Sequence, residues 1–517
     1  MPAVITDKFR ILNAENFIES ISNTNNSYYA FLGLSNPGND DPSEVGFGRT
    51  TTWDATDSTI PSPIDNLQYT SHYRNTILFG KRITDQNARR VVRKVSWANN
   101  TAYDIYRHDY SITNKTKVTD VSRLYDANYY VITSEFKVYI CISNGSDGTS
   151  TTIGKSLFEP TSTDPNPANA GDGSDNYKWK YLFTVSPEDV IKFDSTEYIV
   201  LPNNWLTSSD ENITSVRNNA VNSGQIKKVF IQNSGSGYGT NRTVTDNVEI
   251  FGDGTGGKVR VIVEDDKISD VIVTSGGSGY TFGIINFNGG NNDSKLIPII
   301  PPARGHGDNI YEELGADRVL LYARFDDSTK DFPTDSKFAQ VGIIKNPETY
   351  SGDGVTFTDS TFSSLFSIKM NVDKSSAAVI GGKITQNISG IGTAQGYIAS
   401  YDKETDVLKY YQDRSLYFGN NFDQTDNPNS SNVVKFVGNT NYPIGFPNGD
   451  SGTVDTSLND SFIISGDKRI VLGSSFTNGL SNPDINRNTG TIIYIDNRAL
   501  VTRDLRQKED VKIILEF

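Results

Sequence analysis

The stretch IKKVFIQNSGSGYG (226–239) returns forty-two residues later as ISDVIVTSGGSGYT (268–281). Ile226, Val229 and Ile231 align with Ile268, Val271 and Val273, and SGSGYG aligns with GGSGYT. Just before the second copy, KVRVIVEDDKI (258–268) alternates apolar and polar residues and then turns at Asp265-Asp266, which is a hairpin signal. One copy has too little partner surface to bury its apolar face, whereas two cover each other. The repeat therefore predicts a pair of mutually covering β-hairpins. Gly235, Gly237, Gly277 and Gly279 read as turn glycines that supply positive φ. Tyr238 and Tyr280 are expected to fold back over the hairpins, ring buried and hydroxyl in water.

A glycine-rich loop also raises a phosphate cradle. Residues 252–258, GDGTGGK, fit the first seven positions of a P-loop, but Val259 stands where a Ser or Thr would hold magnesium. A P-loop opens a helix, and the VRVIV that follows is a strand pattern. The GSGY clusters lack dinucleotide-binding spacing. The reading is a turn, with no nucleotide and no other cofactor expected.

The 517 residues suggest about three domains. Gly, Asn, Ser, Thr and Asp abound, with 26 Tyr and 26 Phe, a mix that suits many short strands joined by polar turns. The formal charge is −14. So acidic a chain is expected to bind no nucleic acid over a broad face, and no anionic membrane attracts it. No apolar run reaches the roughly 20 residues of a spanning helix, and MPAVITDKFRIL is neither a signal peptide nor an anchor. A lone Cys141 excludes an intramolecular disulfide and a CxxC zinc site. His72, His108 and His306 lie far apart without metal-ligand spacing, and read as satisfied structural residues. No GxSxG turn is present. Asp40-Asp41, Glu264-Asp265-Asp266 and Asp326-Asp327 lack the rhythm of a calcium loop and read as solvated turns.

Along the chain, 11–21 predicts a short helix with Ile11, Phe17, Ile18 and Ile21 on one face, and YYAFLGL (28–34) a strand. Residues 36–76, with Trp53, are expected to hold little regular structure. YYVITSEFKVYICIS (129–143) reads as two strands or one bent strand, 178–185 and 197–201 as strands, and Ser186-Pro187 as the start of a helix. The expected fold is mainly β: a multi-layer antiparallel β-sandwich core with few short helices, interrupted by two β-rich inserted modules. The core comprises 1–205, 317–349 and 489–517, and the insertions are 206–316, which carries the repeat, and 350–488. The one basic run, Arg89, Arg90, Arg93 and Lys94, lies on a predicted strand. It is either a charged edge paired with the protein's own carboxylates or an interface for an acidic partner.

Several stretches together resemble a known family. DKFRIL is similar to its SKFR opening, and FLGLSNP followed by SEVGF to its FGRSEPW…NEVGF. DNYKWKYLFTVSPEDVIKFDSTEYIVLP (175–202) resembles a stretch of rhythm DGYxWxYLFxxPPD…TNEYIVVP. RVLLYARFDDS and FAQVGIIKNPE resemble its later paired strands, and GTIIYIDNRALVTRDLRQKEDVKIILEF its C-terminal signature. The family is the baseplate wedge subunit, the gene 8 product, of T-even-type contractile-tailed bacteriophages. The resemblance covers 1–205, 317–349 and 489–517. The extra length falls in the two regions marked above as insertions, as in enlarged versions from phages of cyanobacteria. It implies a β-rich structural virion protein of the tail baseplate that forms a homodimer and packs with other wedge proteins. It implies no enzyme activity and no small-molecule substrate. A different class also suits a Tyr- and Trp-rich β protein: a carbohydrate-binding or depolymerising tail protein.

Overall fold

The computed structural model describes residues 4–34, 60, 62–63, 65, 67–145, 153–326, 337–350, 354–412, 434–465, 467–472, 474–503 and 507–517. Trp53, Asp40-Asp41, Asp327 and the SEVGF stretch lie outside them. Strand makes up 41% and helix 12%, in multiple antiparallel sheets, so the chain is mainly β and rich in sandwich-like packing. It divides into two compact units. One comprises 1–18, 89–320 and 514–517; the other comprises 19–88 and 321–513.

The first unit holds a four-stranded antiparallel sheet in the order Tyr130–Ile132, Lys137–Asn144, Tyr177–Thr184, Ala168–Asn169. The stretch 129–143 is thus two strands, turned at Phe136, which adopts φ 58°. Tyr177, Trp179 and Tyr181 bury one face of the central strand, and Trp179 stacks on Tyr177 with centroids 5.6 Å apart. The helix Pro187–Phe193 starts as predicted: Asp189 N–H donates to the Ser186 hydroxyl at 3.1 Å. Helix Asp7–Ser22 buries Ile11, Ala14, Ile18 and Ile21, at helical spacing, and Phe17 meets Phe517 at 5.5 Å.

A further helix, Glu211–Asn222, lies inside the region read as β. Its Ser-, Thr- and Asn-rich sequence has modest helix propensity. It forms because the Asp210 carboxylate caps the N–H groups of Asn212 and Ile213, and because Val216 and Ala220, one turn apart, find a buried seat.

The repeat builds its own apolar cluster, in which Ile226, Val229, Ile231, Ile268 and Val271 are buried together. The pairing differs from two equivalent hairpins. The second copy, in Lys267–Ser278, forms the predicted hairpin with Thr255–Glu264, and Thr243–Glu249 extends it to three strands. The first copy, in Val229–Asn233, pairs instead with Lys295–Pro298. The copies meet head to tail: Ile226 N–H donates to Gly276 C=O at 2.9 Å, and Ile268 N–H to Ser234 C=O at 3.0 Å. The N–H that opens each apolar triplet is therefore satisfied by the glycine-rich stretch of the other copy.

The second unit holds a five-stranded antiparallel sheet in the order Thr361–Ser363, Ile77–Ile83, Tyr28–Gly33, Lys337–Lys345, Thr491–Thr502. A seven-stranded antiparallel sheet is built from segments between Phe366 and Ser481 around Ile368, Ile384, Ile398, Leu408 and Ile444. The helix Leu67–Thr76 occupies part of the stretch expected to lack regular structure. Tertiary contacts override its weak pattern: Tyr73 is buried, and the Arg74 guanidinium reaches the carbonyls of Arg487, Thr489 and Gly490.

Candidate functional site

The glycine clusters of the repeat adopt the conformation that invites an anion, and the protein supplies the anion itself. Gly235, Gly237, Gly277 and Gly279 all have φ between 57° and 80°. Successive N–H groups then point to one side, as in an anion-binding nest. In the first copy, Gly237 and Gly239 donate to the Asp266 carboxylate at 3.0 and 2.8 Å, and Ser236 donates to Asp293 at 2.9 Å. In the second copy, Thr281 and Phe282 donate to Asp253 at 2.9 and 3.2 Å. Hydrogen bonds from the Thr281 hydroxyl and backbone hold Asp253 down to about 2, and those from Gly237 and Gly239 hold Asp266 below the usual carboxylate range. These five N–H groups are therefore committed to the chain's own carboxylates. Thr255–Glu264 is a strand, so no helix follows the GDGTGGK turn.

The two tyrosines differ. Tyr238 is half-buried, with its hydroxyl 2.8 Å from the Ser294 hydroxyl. Tyr280 is buried outright: its hydroxyl accepts from Gly257 N–H at 3.0 Å and donates to Ile250 C=O at 2.9 Å. Its hydroxyl is not in water, because the buried Gly257 N–H and Ile250 C=O need it.

The basic run is tied into its own unit. Arg89 pairs with Asp189 at 2.9 Å, beside the Phe193 ring. Arg90 is 5% exposed and lies flat on Tyr311, 3.2 Å from the ring centroid. Arg93 donates to Asn128 at 2.8 Å and to the carbonyl of Ala127 at 2.9 Å. Lys94 donates to Ser195 C=O at 2.9 Å. These four cations hold neighbouring loops rather than forming one outward face.

His306 and Glu313 form a buried pair under the Tyr106 ring, which stands perpendicular at 4.8 Å, and Glu313 also accepts from Gly307 N–H at 2.7 Å. His108 Nδ1 accepts from Ile300 N–H at 3.1 Å, and burial lowers its pKa. Cys141 is fully buried, and burial pushes its thiol pKa well up. Among the described residues no three His, Cys, Asp or Glu side chains gather as metal ligands, and no helix is long and apolar enough to cross a membrane. The acidic clusters divide: Glu264 pairs with Arg242, Asp266 fills the first glycine nest, and Asp326 lies 3.0 Å from Lys508.

Sequence reasoning missed Lys180. It sits in the YKWKY alternation on the same side as the exposed Lys178, yet is fully buried. Its ammonium donates to Asn219 at 3.1 Å and to Pro165 C=O, and burial depresses its pKa to about 8 against the raising effect of Glu313. The helix 211–222, itself hidden in a polar sequence, covers that lysine together with the segments around Pro165 and Gly307.

No protein-family model matches this chain, and no curated protein matches it.

Proposed function

We propose that the protein is a structural virion subunit, a wedge component of a contractile phage tail baseplate that works by presenting rigid surfaces to its neighbours. The observation that carries the reading is where the resembling stretches fall. FLGLSNP (31–37), FAQVGIIKNPE (338–348) and GTIIYIDNRALV (490–501) are far apart in the chain, yet they supply three adjacent strands of one sheet. Phe31 faces Gly342, and Gly342 in turn faces Ile495. The longest resembling stretch, 175–202, supplies Tyr177, Trp179, Leu182, Phe183, Ile199 and Leu201 to the buried interior of the first unit. A family likeness concentrated in strand partners and core positions is what a shared scaffold requires.

A permanent assembly also needs apolar contact surface. Phe251, Phe282 and Ile284 are 50%, 56% and 55% exposed. Phe251 is the cross-strand partner of Ile284, and Phe282 lies two residues before it, so all three share one side of a short ribbon. Such a patch is unusual for a surface that meets only water. Obligate interfaces bury roughly 2,000 Å² or more, so this ribbon is one part of a larger contact. Movement during baseplate rearrangement is then rigid-body, with the change absorbed at interfaces.

Cryo-electron microscopy of the intact tail tests the reading: density for this chain belongs in the end-plate, and its absence there sinks the proposal. Light scattering on the purified chain tests the homodimer, which a monomer at tens of micromolar would contradict. The carbohydrate-directed alternative predicts instead specific signals on a glycan array or clearing of a host capsule.

A further inference from the structure

A cleft of about 310 Å³ opens in the first unit where the strand Tyr177–Thr184, the end of helix Glu211–Asn222 and the strand Lys267–Ser278 come together. Its wall carries Lys178, Lys227 and Lys228 against a single carboxylate, Asp270, and Ser223 and Thr274 line the same space. That local excess of positive charge stands in a chain whose formal charge is −14. Ile226 and Ile272 give it an apolar floor.

Two of these lysines lack a counter-ion among the described residues. Lys178 and Lys227 make no ion pair with any described residue. The Lys227 ammonium donates to Ser223 C=O at 2.9 Å and to the Ser223 hydroxyl at 2.6 Å. An ammonium has three donors, so one remains for a ligand. Burial alone depresses Lys227 to about 8, with no carboxylate to offset it. Elsewhere this chain neutralises such positions from within, as Asp189 does for Arg89 and Asp109 for Arg107.

The wall is also fixed in place. The Asn219 carboxamide accepts from the buried Lys180 at 3.1 Å and donates to Asn166 at 2.8 Å, and Asn166 lines the cleft. Lys180 lies directly behind, close enough that Lys227 contributes to depressing its pKa. An anion entering the cleft meets Lys227 and Lys178 in front and the field of Lys180 behind. Asp270, which lines the cleft, uses Oδ1 to accept Val271 N–H at 2.8 Å, which leaves Oδ2 to accept from a ligand hydroxyl.

We propose that this cleft binds a small hydroxylated oxyanion, a sugar acid or sugar phosphate of about one sugar unit, with Lys227 and Lys178 holding the acid group and Asp270 a neighbouring hydroxyl. The size suits it, since ligand sites begin near about 300 Å³. The assignment stands apart from the baseplate reading: it needs only the purified chain, and its failure leaves that reading untouched.

The test is a titration of the full chain carrying isotope-labelled lysine, followed by NMR, with glucuronate, glucose 6-phosphate, inorganic phosphate and glucose. Saturable shifts of the Lys178 and Lys227 signals are expected with the first two ligands, with a rise in the apparent pKa of Lys227. Preference for glucuronate identifies the carboxylate source and preference for glucose 6-phosphate the phosphate source. Glucose alone should bind at least about tenfold more weakly, since charge-assisted hydrogen bonds are the strong ones. Lys227→Gln should weaken binding about tenfold, and Lys178→Gln, at the exposed mouth, about threefold while leaving the fold intact. Lys258→Gln, outside the cleft, should change nothing. No saturable shift at tens of millimolar, inorganic phosphate binding as well as the sugar acids, or an unchanged affinity in folded Lys178→Gln and Lys227→Gln would overturn the proposal.

Discussion

Phe362 lays its ring over Gly80, the residue opposite it on the neighbouring strand, so closely that a Cβ built on the glycine would fall 2.2 Å from the ring. The same ring meets Tyr29 edge-on at 5.2 Å. Glycine here is a matter of room beneath an aromatic, since nothing but a hydrogen fits. Gly80→Ala should therefore destabilise the protein by about 1–3 kcal/mol, as overpacking does. Pairing it with Phe362→Leu should recover part of that loss, because only the ring stands in the way. Urea denaturation of the two single variants and the double variant gives the coupling energy. Additive losses would remove the explanation.

The buried Lys180 makes stability depend on pH in the alkaline range. Its folded pKa is depressed from 10.5 to about 8. Between those values the unfolded chain binds the proton and the folded chain does not, so stability rises as pH increases from 8 towards 10 and is flat below 8. The full effect is on the order of 3 kcal/mol. Lys227 acts in the same direction. Lys180→Met should remove about half of the rise, read from urea midpoints at pH 7.5 and 9.5. An undiminished rise would show that Lys180 titrates normally.

His108 acts at the other end of the scale. Its Nδ1 must be unprotonated to accept Ile300 N–H, and burial lowers its pKa below 6.5. A lowered folded pKa means stability is complete above 6.5 and is lost as pH falls from there towards the folded value. His108→Asn should flatten the pH 7.5 to 5.5 segment of the stability profile relative to the parent. Equal slopes in the two proteins would assign the dependence elsewhere.

The repeat module invites excision, but at boundaries inside 206–316. Ile299 N–H donates to Lys228 C=O at 2.9 Å, so the chain enters and leaves the module at one place. Beyond it, Tyr311 lies under Arg90, and Tyr129 donates its hydroxyl to Glu313 C=O at 2.7 Å. Replacing 229–298 with a short glycine-rich link should leave a soluble, cooperatively folding chain. Deleting 207–316 takes the seat of Arg90 with it and should yield aggregate. Circular dichroism and size exclusion distinguish the two outcomes, and identical behaviour of both deletions would contradict the boundary.

Much of this architecture was legible where strands announce themselves by dense aromatic and β-branched residues. YYAFLGL, FKVYICIS and FAQVGIIKN all form strands where the alternation and apolar runs place them. Partnership was less legible. Val229–Asn233 takes Lys295–Pro298 as its partner, and that four-residue strand, ending in proline, carries too short a pattern to advertise itself. The helices Leu67–Thr76 and Glu211–Asn222 are held by contacts far along the chain, which override local propensity. For the same reason the partners of the basic run are hidden in the sequence: only the fold brings Tyr311, more than two hundred residues on, beneath Arg90. The lysine cleft had no sequence signature, because its three walls come from separate elements.

The polypeptide passes between its two units at 18/19, 88/89, 320/321 and 513/514. A ribosome delivers such a chain in the wrong order for piecewise maturation. The first unit draws on residues 1–18 and 514–517, so its full complement exists only once nearly everything has been translated. At about 5–20 residues per second that takes on the order of a minute. For that time the early strands wait with their edges open. Co-expression with a holdase chaperone should therefore raise the yield of folded chain.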